Sequence, residues 1–252
     1  MLLASPCIDI VVSETLKPYF LFVDGLEEST EIKTKLFILS EKPPEHLRRL
    51  LNKEECAYTL AVGYESFKFL CSIKGKKLFY SMVLFPSTDP CFSKFSCGIS
   101  LNIGVNTIAE ALRLLDRGNN LAIVFSSPSI SFYVKDISMK LIKMGVNTTI
   151  VKISQAEEIR LLPKLTKKAD VVLFVPDRVF AYEDVVKHAV AVLRASGKAV
   201  IGFNRLFLKY GASLILSADY KATGKVAGEM IKEFISTGVC RKREAVYKCV
   251  RQ

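Results

Sequence analysis

Residues 121–133, with the sequence LAIVFSSPSISFY, decide the fold of this chain. The segment begins with an uncharged apolar run, which is typical of a strand buried on both faces of a parallel sheet. Ser126-Ser127-Pro128-Ser129 then interrupts the run, and a helical pattern follows over 130–144. Small polar residues after a parallel strand lie where open α/β sheets bind ligands, beside the amides of a helix N-terminus. The segment therefore predicts a strand–loop–helix unit with its loop at a binding edge.

The same unit recurs along the chain. Apolar strands are predicted before residue 85 and again between 121 and 203, in two groups: 8–12, 32–39, 58–62 and 78–84; then 121–125, 148–153, 171–175 and 199–203. Helical patterns alternate with these strands, including one over 155–167, as expected of parallel sheets with right-handed crossovers.

Two extended segments, 97–103 and 213–217, are predicted to link the two groups of strands. We therefore predict an α/β protein with two Rossmann-like lobes, each built on a parallel sheet and joined by crossover hinge strands. The first lobe is expected to comprise 1–102 completed by 218–252, and the second lobe 103–217. A cleft lined by the loops after the strands is the expected ligand site.

Composition and motifs exclude several functional classes. The 252 residues are half hydrophobic, and 36 Lys+Arg against 25 Asp+Glu give a net charge of +11. The basic residues are spread along the chain without an aromatic-interleaved motif, which favours a solvated surface over a nucleic-acid site. No apolar run is long enough to predict stable membrane insertion. Phosphate-binding loops, a nucleophile elbow and C-x-x-C pairs do not occur, so we expect no enzyme, no metal and no cofactor.

Cysteines and the N-terminus bear on the compartment. Cys56 and Cys71 lie in apolar segments and are interpreted as small buried residues. The pairs Cys91/Cys97 and Cys240/Cys249 are close enough in sequence for disulfides in an oxidising compartment, although the odd total of seven argues against complete pairing. The start MLLASPCIDIVV lacks the charged region and long apolar run of a complete export signal, and Leu2-Leu3-Ala4-Ser5 is similar to the end of one.

Candidate ligand contacts of the first lobe follow its predicted strands. Ser13 follows the first strand, and Gly63, Tyr64 and Ser66 follow the third. Gly63 either admits a ligand close to the backbone or simply ends the strand. Tyr64 is expected to stack on a ligand, and Phe85 is expected to contribute to an apolar wall.

Serines are the first candidates in the second lobe. Ser126, Ser127 and Ser129 present hydroxyl groups and amides to a carboxylate or phosphate, or they cap the following helix.

Charged and amide side chains follow the later strands of the second lobe. Asp177 either pairs with an ammonium group or caps the next helix, while Arg178 is expected to pair with a carboxylate. Asn204 and Arg205 follow the strand 199–203 in the same way.

Seven segments carry a resemblance to a known family: IDIVVSETLKPY, YTLAVGYESF, YSMVLFP, CGISLNI, LAIVFSSPS, ADVVLFVPDRVF and KAVIGFNRLFLKYGASLILSADYKATGKVAGEMI. In order and spacing, from about residue 8 to 238, they resemble ABC-transporter substrate-binding proteins with the type I periplasmic-binding-protein-like fold, in particular relatives of the tryptophan/tyrosine-type binding proteins. The chain departs from that pattern in its incomplete signal, its trimmed helices in the first lobe and its basic tail CRKREAVYKCVRQ.

The resemblance implies a solute-binding protein. Such a protein captures a small molecule, for example an amino acid or similar zwitterion, in the cleft between the lobes and delivers it to an ABC permease. It implies a monomer in the periplasm or another extracytoplasmic compartment. The alternative is a cytoplasmic ligand-sensing or regulatory module of the same fold.

Overall fold

Parallel β-sheets form the framework of this computed structural model, which describes residues 6–53, 56–241 and 243–251. The signal-like residues Leu2-Leu3-Ala4-Ser5 lie outside the described part of the chain. Strands and helices alternate along almost the whole described sequence, so the predicted α/β class is confirmed.

The chain divides into two units. Unit 1 comprises Met1–Asn102 and Ala218–Val246, and unit 2 comprises Ile103–Ser217 and Tyr247–Gln252. The chain therefore crosses between the units three times.

In chain order the described elements are β1 (Cys7–Val12), α1 (Lys17–Ser29), β2 (Lys33–Ile38), α2 (Pro44–Lys53), β3 (Tyr58–Val62), α3 (Tyr64–Leu70), β4 (Lys77–Val83), β5 (Cys97–Ser100), α4 (Val105–Leu115), β6 (Asn120–Phe125), α5 (Ser131–Lys143), β7 (Asn147–Lys152), α6 (Leu162–Leu165), β8 (Val171–Phe174), α7 (Glu183–Ala195), β9 (Ala199–Gly202), α8 (Arg205–Lys209), β10 (Leu214–Ala218), α9 (Tyr220–Thr237) and β11 (Tyr247–Arg251).

The sheet of unit 1 has the order β2-β1-β3-β4-β5, and its neighbouring strands are parallel. Val12 at the end of β1 is aligned with Ile38 of β2 and Val62 of β3. Three strands thus end at one level, because their apolar runs stop at equivalent positions. The segment 97–103, predicted as a link, contributes β5 to the edge of this sheet before the chain leaves the unit.

The sheet of unit 2 has the order β11-β10-β9-β8-β6-β7. The extended segment predicted as a second link forms β10, which pairs with β9 in parallel. The sequence placed 218–252 in the first lobe. The structure keeps Ala218–Val246 in unit 1, but Tyr247–Arg251 forms β11 beside β10 in the sheet of unit 2. Lysine and arginine alternate there with Tyr247, Cys249 and Val250, and this half-exposed pattern hid an edge strand.

One predicted helix is largely replaced by tighter turns. The pattern over 155–167 forms a 3₁₀ segment at Ala156–Leu161 and the single-turn helix α6. Pro163 lies at the start of α6, and a proline there has no amide to donate to an upstream carbonyl.

Helices α1 and α9 pack closely in unit 1 because glycines face the contact. A Cβ atom on Gly25 would clash with the backbone carbonyl oxygen of Lys221, and one on Gly224 would clash with that of Phe22. Phe22 and Leu26 are completely buried beside this contact. The two discontinuous parts of unit 1 are thereby joined by helix-to-helix packing.

The core of unit 2 contains a cluster of phenylalanines around β8. Phe174 packs against Phe180 with ring centroids 4.8 Å apart, and against Phe207 at 5.1 Å. All three rings are completely buried. They attach the segments that follow β8 and β9 to the sheet, which fixes the loops at its carboxyl edge.

Three disulfides lie in unit 1, joining Cys7 to Cys56, Cys71 to Cys91 and Cys97 to Cys240, with Cα–Cα distances of 5.0, 5.5 and 5.6 Å. Cys249 is free. The interpretation of Cys56 and Cys71 as merely small buried residues is therefore wrong. The pairs that are close in sequence are not the bonded ones, because adjacent strands and α9 bring distant cysteines together.

Replacing Gly25 with Ala should destabilise the protein. In an ordinary helix this change stabilises by roughly 0.5–1 kcal/mol, but here the added methyl group must displace the backbone of α9. We expect a net loss of about 1–3 kcal/mol, measured by urea unfolding. Asp24→Ala, at an exposed position of the same helix, is the control and should change stability little; a Gly25→Ala protein as stable as the parent would contradict the packing.

Thiol counting tests the disulfides. After denaturation without reductant, one cysteine per chain should react with an alkylating reagent, and peptide mapping should identify it as Cys249. A cross-linked peptide should join Cys97 to Cys240 across a sequence separation of 143 residues. Recovery of a Cys91–Cys97 or Cys240–Cys249 bond would show a different pairing.

Candidate functional site

The carboxyl edge of the first sheet brings Ser13 next to Gly63. Each follows directly after a strand, and the two strands are aligned up to Val12 and Val62. The amide of Ser13 donates to the carbonyl of Val62 at 3.0 Å, and the amide of Gly63 donates to the carbonyl of Ser81 at 3.0 Å. The ladder of the sheet thus continues into the loops and holds them rigidly.

Ser13 and Ser66 form a buried hydrogen-bonded pair behind this edge. The amide of Ser66 donates to Oγ of Ser13 at 2.9 Å, and Oγ of Ser66 donates to the carbonyl of Gly63 at 3.0 Å. The exposed fraction is 6% for Ser13 and zero for Ser66. Both hydroxyl groups therefore anchor the start of α3 to the end of β1, and direct contact with a ligand stays a prediction.

Gly63 is required by both backbone geometry and space. Its φ of +96° lies in a region that other residues rarely adopt. A Cβ atom at this position would lie 2.6 Å from Oγ of Ser13 and 2.6 Å from the phenolic oxygen of Tyr19. Gly63 thus allows Ser13 and Tyr19 to approach the backbone closely, where the sequence suggested a ligand.

Tyr64 projects from the start of α3 with about half of its surface exposed. Its hydroxyl donates to Oδ2 of Asp89 at 2.8 Å, and Lys68 pairs with the same carboxylate at 3.3 Å. Desolvation opposes ionisation of Asp89, but donors from Cys91, Tyr64 and Lys68 outweigh it and lower its pKa. The hydrogen bond to Asp89, together with partial burial, raises the pKa of Tyr64. The ring is thus held in place by a charged acceptor.

A cavity of about 370 Å³ opens at this edge of unit 1. Tyrosines and aliphatic side chains line it: Leu16, Pro18, Tyr19, Tyr64, Met82, Leu84, Leu101 and Tyr220. Of the residues predicted from the sequence as ligand contacts, Tyr64 is in this lining. Tyr19 was missed because it lies within the first turn of α1, further from its strand than the other candidates. Tyr220 was missed because β10, which ends two residues before it, was predicted as a link between the lobes.

The phenol groups of this cavity remain neutral well beyond physiological pH. Burial is the largest cause that raises the pKa of Tyr19, with nearby Glu14 adding to it. Burial also raises the pKa of Tyr220. The lining therefore offers ring faces and neutral hydroxyl groups.

The end of β4 and the segment after it adopt unusual backbone geometry. Met82 and Phe85 have φ angles of +61° and +51°, and the pairing of β4 with β5 shifts between Ser81 and Val83. The amide of Phe85 donates to Oδ1 of Asn102 at 2.8 Å. Such conformations are costly and often occur at binding sites; here the irregularity aims Met82 into the lining of the cavity.

In unit 2, Asp177 organises the loop after β6. Its carboxylate accepts hydrogen bonds from the amide of Ser126 at 2.7 Å, the hydroxyl of Ser126 at 2.7 Å and the amide of Ser127 at 2.8 Å. Strands β6 and β8 are neighbours, with Val124 aligned with Phe174, so the two loops meet. Asp177 does not cap the 3₁₀ helix Arg178–Ala181 that follows it.

This arrangement changes what the serine loop offers a ligand. Two amides expected to bind a carboxylate or phosphate already donate to Asp177, so an external anion would compete with the protein's own carboxylate. Ser127 and Ser129 share a hydrogen bond between their hydroxyl oxygens at 2.7 Å and are accessible. Pairing of Asp177 with an ammonium group stays a prediction.

The remaining predicted residues lie at the same edge of the second sheet. Asn204 caps α8, accepting a hydrogen bond from the amide of Leu206 at 3.0 Å. Arg178 and Arg205 are exposed, and their contact with a ligand stays a prediction.

A second cavity, of about 550 Å³, lies elsewhere in unit 2. Arg113, Asp116, Gly118, Asn119 and Met144 are among its lining residues. Because Gly118 and Asn119 precede β6, this cavity is at the amino end of that strand. Parallel α/β sheets bind ligands at the other end, so the tyrosine-lined cavity is the stronger candidate despite its smaller volume.

The structure also bears on metals and membranes. Among the described residues, no cluster of three or more His, Cys, Asp or Glu side chains is arranged to hold a metal ion. None of the described helices is both long and apolar enough to cross a bilayer.

Comparisons with known proteins identify the fold. No family model matches the chain, and no curated protein matches its sequence. The ligand-free, open structure of a substrate-binding protein with adhesive properties from Clostridium difficile is similar, with a TM-score of 0.70 at 13% identity, covering 98% of this chain and 92% of that one. A periplasmic ribose ABC transporter structure from Conexibacter woesei has a TM-score of 0.61 at 10% identity, with coverages of 98% and 91%.

A transcriptional regulator also has a structure similar to that of this chain. The structure of a LacI family transcriptional regulator from Bifidobacterium animalis subsp. lactis has a TM-score of 0.55 at 13% identity, covering 97% of this chain and 96% of that one. Together these similarities show the type I periplasmic-binding-protein-like fold that the sequence resemblance implied. The three neighbours are described as a substrate-binding protein, a periplasmic ribose ABC transporter and a transcriptional regulator.

Replacing Asp177 should loosen the serine loop. Asp177→Ala removes the acceptor of three hydrogen bonds. Asp177→Asn can keep an oxygen opposite both amides and donate its NH2 group to the hydroxyl oxygen of Ser126, so it should lose less. We expect Asp177→Ala to lose about 1–3 kcal/mol of stability and to exchange the amide hydrogens of Ser126 and Ser127 faster than the parent. Glu157→Ala, which removes an exposed carboxylate of the same unit, is the control; unchanged exchange in Asp177→Ala would refute the role assigned to this carboxylate.

Proposed function

We propose that this chain, with its type I periplasmic-binding-protein-like fold, is an extracytoplasmic solute-binding protein that captures a small molecule and delivers it to an ABC-type permease. The observation that carries the proposal is the tyrosine-lined cavity at the carboxyl edge of the first sheet. A protein of this kind uses binding energy to select a conformation of itself and needs no covalent chemistry. We expect it to act as a monomer.

The lining of the cavity supports a particular ligand chemistry. Three tyrosines, four aliphatic or thioether side chains and one proline surround it, without an acidic or basic side chain in the lining. Aromatic faces and apolar walls accept a ring or an aliphatic group, while phenol hydroxyls provide neutral hydrogen bonds. An amino acid with an aromatic or large apolar side chain therefore fits better than a ligand that is charged throughout.

The charged ends of such a ligand need other partners. Ser127, Arg178 and Arg205 at the carboxyl edge of the second sheet have the required chemistry. Their contact with the same ligand stays a prediction from the sequence.

Disulfides support an extracytoplasmic location. Six of the seven cysteines are paired, and such bonds persist in oxidising compartments while cytosolic thiols are usually kept reduced. The same observation weighs against the alternative, a cytoplasmic ligand-sensing or regulatory module. Similarity to a LacI family regulator is what favours that alternative.

Ligand binding tests the proposal. A thermal-shift screen of aromatic and apolar amino acids and related neutral solutes should find a ligand, and calorimetric titration should then measure its affinity. We expect Tyr64→Ala and Tyr220→Ala each to weaken binding about tenfold or more, a loss of about 1.4 kcal/mol. Tyr64→Phe, which keeps the ring but removes the hydrogen bond to Asp89, should have a smaller effect.

Tyr182→Ala is the matched control, since this exposed tyrosine lies in unit 2 outside the cavity. If Tyr64→Ala and Tyr220→Ala bind as tightly as the parent, the cavity is not the ligand site. If no solute in the screen shifts the melting temperature, the proposed ligand class is wrong.

A further inference from the structure

The outward face of α5 is unusually apolar for a helix on the surface of a sheet. Phe132, Met139 and Ile142 are 80%, 57% and 55% exposed, and Met144 directly after the helix is 50% exposed. The opposite face of the same helix carries Val134, Ile137, Ser138 and Leu141 and is buried. A helix packed on a core is expected to turn a polar face to water, so these exposed side chains need a separate explanation.

Helix α7 of the same unit shows the ordinary arrangement. Its exposed positions carry Glu183, Asp184, Lys187, His188 and Arg194 among others. The exposed apolar side chains of α5 therefore have no counterpart on α7.

Lysines are interspersed with the apolar side chains of this face. Lys135 and Lys143 are exposed, and neither has an acidic partner among the described residues. Lys140 pairs with Asp136 at 2.6 Å. Lys135 lies three residues after Phe132 and four before Met139, so a positive charge sits between two apolar side chains of this face, and Lys143 lies one turn beyond Met139 at the end of the helix. We call Phe132, Lys135, Met139, Ile142, Lys143 and Met144 the α5 patch.

We propose that the α5 patch docks the protein on the surface of an anionic lipid bilayer. Exposed Phe, Met and Ile side chains gain by entering the boundary between headgroups and acyl chains, and lysines beside them gain from anionic headgroups. The long lysine side chains let the charge stay at headgroup level while the neighbouring apolar groups go deeper. The net charge of +11 adds a general attraction to such a surface.

The lysines of the α5 patch argue against two other occupants, a second copy of this chain and a different protein. A second copy of the chain would bring the unpaired Lys135 and Lys143 of both copies together, which like-charge repulsion opposes. Protein interfaces are in general depleted in lysine, particularly at their centres, whereas this patch carries Lys135 between Phe132 and Met139. A bilayer rich in anionic lipid satisfies both the apolar and the positive side chains.

The role is peripheral and separate from ligand capture. None of the patch residues lines the tyrosine cavity, so docking would hold the protein at a membrane without using the proposed site. The inference does not require the proposed function to be correct.

Vesicle sedimentation with the full chain tests the proposal. The protein should bind vesicles made of equal parts phosphatidylcholine and phosphatidylglycerol, bind pure phosphatidylcholine vesicles much more weakly, and lose affinity as salt is raised. The triple variant Phe132→Ser/Met139→Ser/Ile142→Ser and the double variant Lys135→Glu/Lys143→Glu should each bind the anionic vesicles about tenfold more weakly or worse.

Two control variants carry the same number and kind of substitutions as the patch variants, at positions outside the patch. Leu36→Ser/Tyr182→Ser/Val239→Ser alters three exposed apolar residues elsewhere, and Lys164→Glu/Lys168→Glu changes the charge by the same amount in the same unit. Both controls should retain most of the binding, and circular dichroism should show all variants folded. Patch variants that bind anionic vesicles as well as the controls do would overturn the proposal.

Two further results would also overturn it. One is equal binding of the parent to both kinds of vesicle, or to neither. The other is a parent dimer, seen by light scattering, that the triple variant converts to a monomer, since that would identify the patch as a contact between copies. Calorimetry of the patch variants with the ligand should give the parent affinity, so failure here leaves the proposed function untouched.

Discussion

Alignment of parallel strands at their carboxyl ends is the constraint on which this structure depends. Val12, Ile38 and Val62 end at one level because parallel pairing sets a common register. Every loop that follows these strands must then start at the same edge, and so must the helices after it. The tyrosine cavity and the cluster of Ser13, Gly63 and Ser66 both result from this single geometrical condition.

Polar residues after buried strands have a double use in this fold. Asp177 and Ser13 were selected from the sequence as ligand contacts, yet each makes several hydrogen bonds within the protein. Where a strand ends, the amides of the following loop no longer have partners in the sheet and need other acceptors. A polar side chain from the neighbouring loop is the nearest acceptor. These hydrogen bonds make the carboxyl edge of the sheet rigid. A rigid edge preorganises the exposed side chains, such as Tyr64, that remain available to a ligand.

Much of the fold could be predicted from the sequence because local patterns carry it. The apolar runs of β3 and β6 and the small residues after them are visible without knowledge of distant residues. Pairings across long sequence separations were not visible: Cys97 with Cys240, β11 with β10, and Tyr19 with Tyr220. These pairings depend on the three positions at which the chain passes from one unit to the other. In addition, a half-exposed edge strand such as β11 gives almost no periodic signal in the sequence.

The bond between Cys97 and Cys240 has a consequence for the order of assembly. During synthesis the ribosome must add all of residues 103–217 before α9, and then Cys240, becomes available to the first hundred residues. The early segment emerges without the helix that covers α1, so Gly25 and Phe22 lack their packing partners on α9 until late in translation. Once the bond closes, unit 2 up to β10 is enclosed in a covalent ring, and a single proteolytic cut inside that ring leaves the polypeptide in one piece until a reductant opens it.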